Sequence, residues 1–392
     1  MPLQIGVLNS SGQVGGAEIS LLELIRRLDG TPKVTLILPE DGLLREKASQ
    51  AGIDARILPW PERIMMVGER AGLHGIRETI SAASASPGTA RRLAKFLCSI
   101  DADGLITNGI KAHILGALAR RACNIPLVWY FRDGLQGRRI SSLLLRLYSS
   151  RCSGVIAISR YVESEARRVL ARSVPVHVLY NIIDLEKYRP GIAPPQDLVK
   201  TRGEIWYGVI GAITPLKGQD LFLRACEKVC QALPEARFII VGSNFYRTEA
   251  RMQYGDDLHR QVRESGLQDR VRFLGQRSDI PQVLSTLDVL VQPNRGPEGL
   301  GRSVLEAMAC AVPVIAVNRW GPAELIQDEE TGLLTPWMGV DALAERMIRV
   351  GRDVALRTRL GANGRNWVLQ NFVPDVQVAR FREIMNSYVT VN

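Results

Sequence analysis

The chain has 392 residues, of which 46% are hydrophobic and 23% charged, so it is globular in composition and too long for one ordinary core. No run reaches the ~18 uninterrupted apolar residues that a membrane-spanning helix needs. The first residues lack the basic and apolar regions of a signal peptide, which predicts a cytoplasmic location. The six cysteines and four histidines have no metal-ligand spacing, so we predict no metal site.

Positive charge is concentrated in the first half of the chain. Residues 1–190 contain 26 Lys and Arg against 17 Asp and Glu, whereas residues 191–392 contain 24 against 23. Solvated helix faces explain such an excess, but it also suits an anionic partner such as a membrane surface or a phosphorylated acceptor. Aromatic residues make up 6% of the chain and no nucleic-acid-reading module is present, so we predict no nucleic-acid partner.

Strands and helices alternate through the first half. The apolar patterns predict strands at 3–8, 34–38, 55–58, 104–107, 127–131, 154–158 and 176–179, and helices at 18–28, 43–51, 89–99, 111–122, 140–151 and 160–171. The stretch from 59 to about 87 is predicted to be less regular. Such alternation is typical of a mostly parallel sheet covered on both faces, with ligands beyond the carboxyl ends of its strands.

Three turns that follow strands in this half carry candidate site residues. Gly15 and Gly16 open the first helix, where an anion site and a merely flexible turn are equally good interpretations. Asn108 follows the strand at 104–107, and Arg132 and Asp133 follow the strand at 127–131. These three residues are predicted to face a cleft, although a local Arg132–Asp133 salt bridge explains that pair equally well.

The helix predicted at 139–151 is amphipathic and basic. Its apolar residues are Ile140, Leu143, Leu144 and Leu147, and its arginines are Arg138, Arg139, Arg146 and Arg151. A helix of this kind lies on a membrane surface in some proteins, but this spacing is more often found in a helix packed on its sheet.

A cluster of Pro and Gly residues separates the two halves. We predict a first domain at 1–185, a linker at 186–203, a second domain at 204–372 and a final helix at 373–392. The second alternating set begins with the strand at 205–210. Gly211 and Lys217 lie in the turn that follows it, where an ammonium can meet a phosphate, although an exposed lysine before a helix is the simpler interpretation.

A Gly-rich turn opens the helix between the strands predicted at 288–291 and 313–317. Backbone N–H groups at a helix start have no intrahelical partner and attract phosphates; the residues here are Gly299, Leu300, Gly301 and Arg302. Glu298 and Glu306 flank this turn, and their oxygens can accept hydrogen bonds from sugar or ribose hydroxyls. Two solvated acids on a capped helix are the alternative.

Together these segments resemble the retaining glycosyltransferases of family 4 over nearly the whole chain. The matching segments occur in the family's order: Gly15-Gly16-Ala17-Glu18, Asn181 to Asp184, Gly211 to Gly218, Phe273-Leu274-Gly275, Glu298 to Glu306, Gly321 to Glu324 and Thr331 to Leu334. The resemblance implies the GT-B fold, an α/β architecture of two Rossmann-like domains with parallel sheets facing a central cleft. It also implies that the final helix crosses back to the first domain.

The resemblance implies a role for each matching residue. Lys217 and the amides of Leu300 and Gly301 would bind the diphosphate of a nucleotide-sugar donor, and Gly15 and Gly16 would close over it. Glu306 would hold the ribose and Glu298 would address the donor sugar, so that Glu298 and Lys217 would be the catalytic residues. Asn108, Arg132 and Asp133 would lie on the acceptor side. Two positions depart from the family pattern, since Ala212 stands where a phosphate-binding Arg is frequent and Arg132 where a His is frequent. One cationic phosphate contact would therefore be missing or would come from another residue, such as Arg302 or Arg295.

We therefore expect a metal-independent, retaining hexosyltransferase that uses a UDP-, GDP- or ADP-sugar and no cofactor. Its acceptor is expected to be a glycan, a lipid-linked glycan or a polysaccharide precursor, with peripheral association at the inner membrane face. Two other functional classes are the alternatives. A nicotinamide-dependent dehydrogenase needs a GxGxxG turn, which neither half contains. A catalytically silent sugar-nucleotide-binding protein of the same fold stays open because of Ala212 and Arg132.

Overall fold

A computed structural model of the chain describes residues 3–65, 73–243 and 249–389, with side chains from 84 and from 253 after the two gaps. The chain divides into two compact units. The first contains residues 1–182 and 374–392, and the second contains residues 183–373. Each unit is built on a parallel sheet and is described by itself.

The described part of the first unit forms a seven-stranded parallel sheet with strand order β3-β2-β1-β4-β5-β6-β7. Its strands are β1 Gln4–Asn9, β2 Lys33–Leu38, β3 Asp54–Ile57, β4 Gly104–Asn108, β5 Leu127–Phe131, β6 Gly154–Ala157 and β7 Val176–Val178. Its helices up to β7 are α1 Gly16–Arg27, α2 Leu43–Gln50, α3 Glu62–Met65, α4 Leu73–Ser99, α5 Ile110–Cys123, α6 Arg139–Tyr148 and α7 Arg160–Val169. The central strands β4, β5 and β6 are buried along their whole length, as expected where helices cover both faces of a sheet.

The prediction of an irregular stretch from 59 to 87 is wrong over residues 73–87, which belong to α4. Pro87 lies inside this helix, although proline usually ends a helix because it lacks a backbone N–H. The helix continues because Ala90, Leu93 and Leu97, beyond the proline, are buried. Residues 66–72 of the same stretch lie outside the described part of the chain.

The second unit has a six-stranded parallel sheet within its described residues, in the order β10-β9-β8-β11-β12-β13. Its strands are β8 Ile205–Ile210, β9 Ala236–Val241, β10 Val271–Gly275, β11 Val289–Gln292, β12 Val314–Val317 and β13 Leu333–Thr335. Its helices are α8 Gln219–Ala232, α9 Glu249–Glu264, α10 Ile280–Thr286, α11 Arg302–Ala309, α12 Pro322–Leu325, α13 Val340–Arg352 and α14 Val354–Asn371. A core that includes Tyr207, Phe222 and Phe238 packs between β8, α8 and β9.

The segment after β9 leads into α9, which begins at Glu249. The first turns of α9 are rich in polar residues and give little periodic signal, whereas Leu258 and Val262 further on are buried. Residues 244–248 lie outside the described part of the chain.

The final helix, α15 Pro374–Tyr388, belongs to the first unit. The Arg382 guanidinium donates hydrogen bonds to the carbonyl oxygens of Leu28 and Thr31, each at 2.9 Å. Most residues of the predicted linker are exposed, whereas Tyr188 and Leu198 within it keep only 4% and 1% of their surface exposed.

Candidate active site

Loops that follow β8, β11 and β12 meet at the carboxyl edge of the second sheet. Gly218, after β8, has φ 72°, and a Cβ on it would lie 2.1 Å from the carbonyl oxygen of Pro293. The Arg295 N–H donates to the Leu216 carbonyl at 2.9 Å, which joins the β8 and β11 loops. The Gly321 N–H donates to the Glu298 carbonyl at 3.0 Å, which adds the β12 loop. The switch-point rule for parallel sheets predicts a ligand site at such an edge.

This arrangement brings together the two residues predicted to be catalytic. The ammonium of Lys217 forms an ion pair with the Glu298 carboxylate, and their side chains are 26% and 19% exposed. The Asn294 side-chain amide also donates to Glu298, at 3.2 Å. The Lys217 stem lies over Gly211, where a Cβ would be 3.6 Å from the lysine Cδ. The carboxylate is thus held by two donors in a half-buried position that a ligand can reach.

The start of α11 lies beside this ion pair. The N-cap residue Gly301 has φ 93°, a left-handed conformation that favours glycine, and Gly299 and Leu300 precede it. The backbone N–H groups of Leu300 and Gly301 donate to no other group in the described part of the chain. Two backbone donors are therefore free for an anionic ligand, at the positive end of the helix.

Glu306, on the second turn of α11, is buried and interacts with two side chains. Its carboxylate accepts a hydrogen bond from Arg302 Nε at 2.7 Å in an ion pair whose side chains are 12% and 8% exposed. The Tyr188 hydroxyl also hydrogen-bonds to Glu306 and Arg302, and burial, followed by the negative charge of Glu306, raises the pKa of this tyrosine well above its usual range. The interpretation of Glu306 as a solvated acid is wrong.

Both cations expected to replace the missing phosphate-binding Arg have carboxylate partners. Arg302 pairs with Glu306, and Arg295 pairs with Asp220 on α8. Asp220 also accepts a hydrogen bond from the Tyr254 hydroxyl at 2.9 Å. A diphosphate would therefore have to displace these carboxylates or use the backbone donors of α11.

In the first unit, Gly15 and Gly16 lie at the start of α1. Gly15 is its N-cap with an extended backbone at φ −121° and ψ −169°, and Gly16 is its first residue. The Glu18 carboxylate accepts a hydrogen bond from the Gly15 N–H at 2.9 Å. The Gly15 amide therefore has an internal partner, and its predicted phosphate contact would require Glu18 to move away.

The predicted acceptor-side residues lie at the carboxyl ends of β4 and β5. Asn108 is 3% exposed, and its amide donates to the Asn9 side-chain oxygen at 2.5 Å. Arg132 is 6% exposed and donates to Asn181 Oδ1 at 2.9 Å. Asp133 is exposed, and no Arg132–Asp133 salt bridge forms within the described residues. The local salt-bridge interpretation of this pair is wrong.

The buried Arg132 guanidinium keeps unused hydrogen-bonding capacity. It lies over the Tyr130 ring at 4.0 Å from the ring centre, and its Nε and one Nη have no partner among the described residues. Unpaired buried N–H groups are rare in proteins because their desolvation is unfavourable. Arg132 thus presents two donors that suit an anionic group.

Sequence reasoning missed several polar and aromatic residues at the second-unit edge. Tyr188 and Asn294 carry no motif, so their contacts with Glu306 and Glu298 become visible only in three dimensions. Trp320 and Trp337 follow β12 and β13, and the Arg319 guanidinium lies 4.5 Å from the Trp337 ring centre. The Trp337 indole N–H donates to the Arg295 carbonyl at 3.0 Å, so this aromatic pair adjoins the candidate site.

The described residues contain no group of three or more His, Cys, Asp or Glu side chains that could hold a metal ion. None of their helices is both long and apolar enough to cross a membrane. Metal independence and the absence of a cofactor stay predictions.

Comparison with known proteins places both halves of the chain in one group of enzymes. The profile of Glycosyltransferase Family 4 matches residues 14–187, and that of Glycosyl transferases group 1 matches residues 195–367. The chain is 26% identical over 281 residues to the UDP-Gal:alpha-D-GlcNAc-diphosphoundecaprenol alpha-1,3-galactosyltransferase of Escherichia coli, covering 68% of this chain and 70% of that protein. It is 26% identical over 337 residues to the GDP-mannose-dependent alpha-(1-6)-phosphatidylinositol monomannoside mannosyltransferase of Mycolicibacterium smegmatis, covering 81% and 85%.

A solved structure supports the same assignment. The Anabaena protein HepE in complex with UDP-glucose superimposes with a TM-score of 0.82 at 25% identity, over 98% of this chain and 100% of that protein. A sucrose-phosphate synthase from Thermosynechococcus elongatus shares the fold at a TM-score of 0.82 and 20% identity. The predicted fold class and family are confirmed. The chain belongs to glycosyltransferase family 4 and is a GT-B glycosyltransferase of the hexosyltransferase type.

Proposed function

We propose that this enzyme transfers a hexose, with retention of anomeric configuration, from a nucleoside diphosphate sugar to a lipid-linked acceptor that bears phosphate. The Lys217–Glu298 ion pair beside the free N–H groups of α11 is the observation that carries the proposal. This arrangement contains a cation for the leaving diphosphate, a carboxylate that can accept hydrogen bonds from sugar hydroxyls, and preorganised backbone N–H groups.

In the proposed reaction the bond between the anomeric carbon and the diphosphate oxygen breaks. The acceptor oxygen forms its new bond on the same face of the sugar, and its proton passes to the departing phosphate oxygen. Lys217 and the Leu300 and Gly301 amides stabilise the charge that develops on the leaving group. Glu298 accepts hydrogen bonds from donor-sugar hydroxyls, and Glu306 accepts them from the ribose. The protein's contribution is thus positioning and electrostatic stabilisation.

The donor is proposed to be a UDP- or GDP-hexose. The solved relative binds UDP-glucose, and the two enzyme relatives use UDP-galactose and GDP-mannose. A panel of UDP-, GDP- and ADP-hexoses tests this choice by release of the nucleoside diphosphate. Selective binding also raises the melting temperature, because a ligand that binds only the folded state stabilises it.

The proposed acceptor phosphate is supported by Arg132, which presents two unpartnered N–H donors from a buried position. Guanidinium groups bind phosphate through two parallel hydrogen bonds, so this geometry suits the head of a lipid phosphate. Both enzyme relatives act on phosphate-bearing lipids, namely a diphosphoundecaprenol and a phosphatidylinositol monomannoside. We propose that the enzyme works at a membrane surface for this reason.

Turnover of the active donor in Lys217→Ala and Glu298→Ala tests the catalytic assignments. Loss of a preorganised charged contact lowers kcat/KM by ~10²–10³. Lys228→Ala is the matched control, because Lys228 is half exposed and pairs with Asp341 at 3.0 Å. Full activity in both site variants contradicts the proposed roles. If no donor is turned over but the melting temperature still rises, the protein is a silent sugar-nucleotide binder instead.

A further inference from the structure

Helix α6 presents three of its large apolar residues to solvent. Ile140, Leu143 and Leu147 are 55%, 60% and 65% exposed. At ~100° per residue, their positions i, i+3 and i+7 fall within an arc of about 60° and form one continuous stripe. The apolar side of this helix is therefore not the side that packs against the protein.

The opposite side of α6 attaches the helix to the first unit. Leu145 is fully buried, and Ser149, which follows the helix, is 1% exposed. Ser141 and Ser142 are partly buried, so small polar residues supply much of the remaining packing surface. The expectation that the leucine stripe packs on the sheet is wrong for Leu143 and Leu147. Their exposure is unfavourable in water, which indicates that another apolar phase covers them.

The charges around the stripe indicate which phase this is. From Gly134 to Val162 the chain has five arginines, at 138, 139, 146, 151 and 160, and no Asp or Glu. Arg138, Arg139 and Arg146 are exposed, and no carboxylate of the described residues lies within salt-bridge distance of them. An exposed apolar stripe bordered by unneutralised arginines is the arrangement of helices that lie in the interface of an anionic bilayer.

We propose that α6 docks the first unit onto an anionic phospholipid surface. Ile140, Leu143 and Leu147 enter the boundary between headgroups and acyl chains, and Arg138, Arg139 and Arg146 contact lipid phosphates. A second copy of this chain is a poorer occupant, because pairing two such faces would bring the arginines of both copies together without acids to neutralise them. Docking through this surface is independent of the proposed sugar-transfer reaction.

Flotation of the full chain with vesicles tests the proposal. Phosphatidylcholine vesicles that contain phosphatidylglycerol are expected to bind the protein, and vesicles of phosphatidylcholine alone to bind it weakly. The double variant Leu143→Gln/Leu147→Gln is expected to bind at least ~10-fold more weakly, because two large apolar side chains no longer enter the bilayer. Arg139→Ser/Arg146→Ser is expected to lose roughly fivefold per arginine and most of the salt dependence.

The matched control is Val354→Gln/Leu369→Gln, which changes two exposed apolar residues of α14 in the second unit. It is expected to bind vesicles like the unaltered chain. Circular dichroism and the melting temperature verify folding, and Ile140→Ser provides a milder variant of the stripe. The vesicles contain neither donor nor acceptor, so the result is independent of the proposed transfer reaction.

Three outcomes overturn the proposal. The first is an unaltered chain that does not bind anionic vesicles, and the second is binding that survives the Leu143→Gln/Leu147→Gln change. The third is a reversible dimer, seen by sedimentation velocity, that the same variant abolishes without vesicle binding. That result assigns the stripe to a second copy of the chain.

Discussion

Replacing Glu306 tests two roles of its buried carboxylate, one in the stability of the fold and one in ligand binding. The carboxylate pairs with Arg302 at 2.7 Å and hydrogen-bonds to the Tyr188 hydroxyl. Removing one partner of a buried pair costs ~3–5 kcal/mol, because the other charge is left buried without compensation. The Arg302 side chain keeps 12% of its surface in contact with water, so we expect Glu306→Met to lower the free energy of unfolding by about 3 kcal/mol.

A double-mutant cycle measures the pair directly. Arg302→Met and Glu306→Met are each expected to cost about 3 kcal/mol, whereas the double variant is expected to cost much less than either alone, because no unpaired buried charge remains. Urea unfolding of the four proteins at neutral pH provides the free energies. A double variant that loses the sum of the two single losses would falsify the coupling.

The ligand-binding role is separated by nucleotide affinity. Glu306→Gln keeps the side-chain shape but replaces the carboxylate, and a hydrogen bond from a hydroxyl to a charged group is worth ~1.5–3 kcal/mol. We therefore expect ~10-fold to 100-fold weaker binding of the nucleoside diphosphate that the active donor releases. Calorimetry with its 2′-deoxy and 3′-deoxy analogues identifies the contact, because the unaltered enzyme prefers the ribose form and Glu306→Gln does not.

Arg302→Met is the control for this measurement, since it breaks the same ion pair but leaves the carboxylate in place. It is expected to destabilise the protein while changing nucleotide affinity far less than Glu306→Gln does. Equal losses of affinity in both variants would show that Glu306 acts through the fold. An unchanged preference for ribose in Glu306→Gln would refute its assignment to the ribose hydroxyls.

Three further expectations follow from the described contacts. Burial lowers the pKa of His113 from 6.5 to about 3, so the unfolded chain binds more protons than the folded one below pH 6.5, and the free energy of unfolding falls as the pH decreases towards 3. Between pH 7 and pH 5 this loss is ~2 kcal/mol, which urea unfolding measures. His113→Gln is expected to remove that part of the pH dependence. Gly218→Ala places a Cβ 2.1 Å from the Pro293 carbonyl oxygen at φ 72°, so it is expected to lower the free energy of unfolding by ~1–3 kcal/mol and to remove most activity. The control Gly203→Ala, at φ 92° in open space, is expected to retain activity in the same assay. Arg132→Gln is expected to lower kcat/KM for a lipid phosphate acceptor ~10-fold or more while sparing hydrolysis of the donor, and equal losses in the two reactions contradict an acceptor role.

Much of the fold is readable from the sequence because buried parallel strands have a simple pattern. The runs at 127–131 and 205–210 consist mainly of apolar residues between turn signals, and their predicted bounds coincide with β5 and β8. The helix that contains Pro87 was missed, because local rules treat proline as a helix end and cannot include the packing of the residues beyond it.

The candidate site likewise contains residues that the sequence could predict and contacts that it could not. Lys217 and Glu298 could be singled out because each follows a strand in a Gly-rich turn, and their pairing depends on the close approach that Gly218 permits. The contact of Tyr188 with Glu306 could not be predicted, because it joins the linker to a helix more than a hundred residues later and has no local pattern. The exposure of Leu143 and Leu147 was open for a related reason, since periodicity defines an apolar face but not the phase that covers it.

The cations of the site are already paired with its acids, and this has a consequence for how an anionic donor binds. Lys217 pairs with Glu298, Arg302 with Glu306 and Arg295 with Asp220, so these three cations present little unbalanced positive charge. A diphosphate gains its main new contacts from the free amides of Leu300 and Gly301, while Lys217 exchanges one anionic partner for another. Donor affinity should then depend weakly on ionic strength, because exchange within a half-buried pair releases few counterions. Arg138, Arg139 and Arg146 have no carboxylate partner among the described residues and are exposed to the screening of bulk salt, so vesicle binding should weaken steeply over the same range.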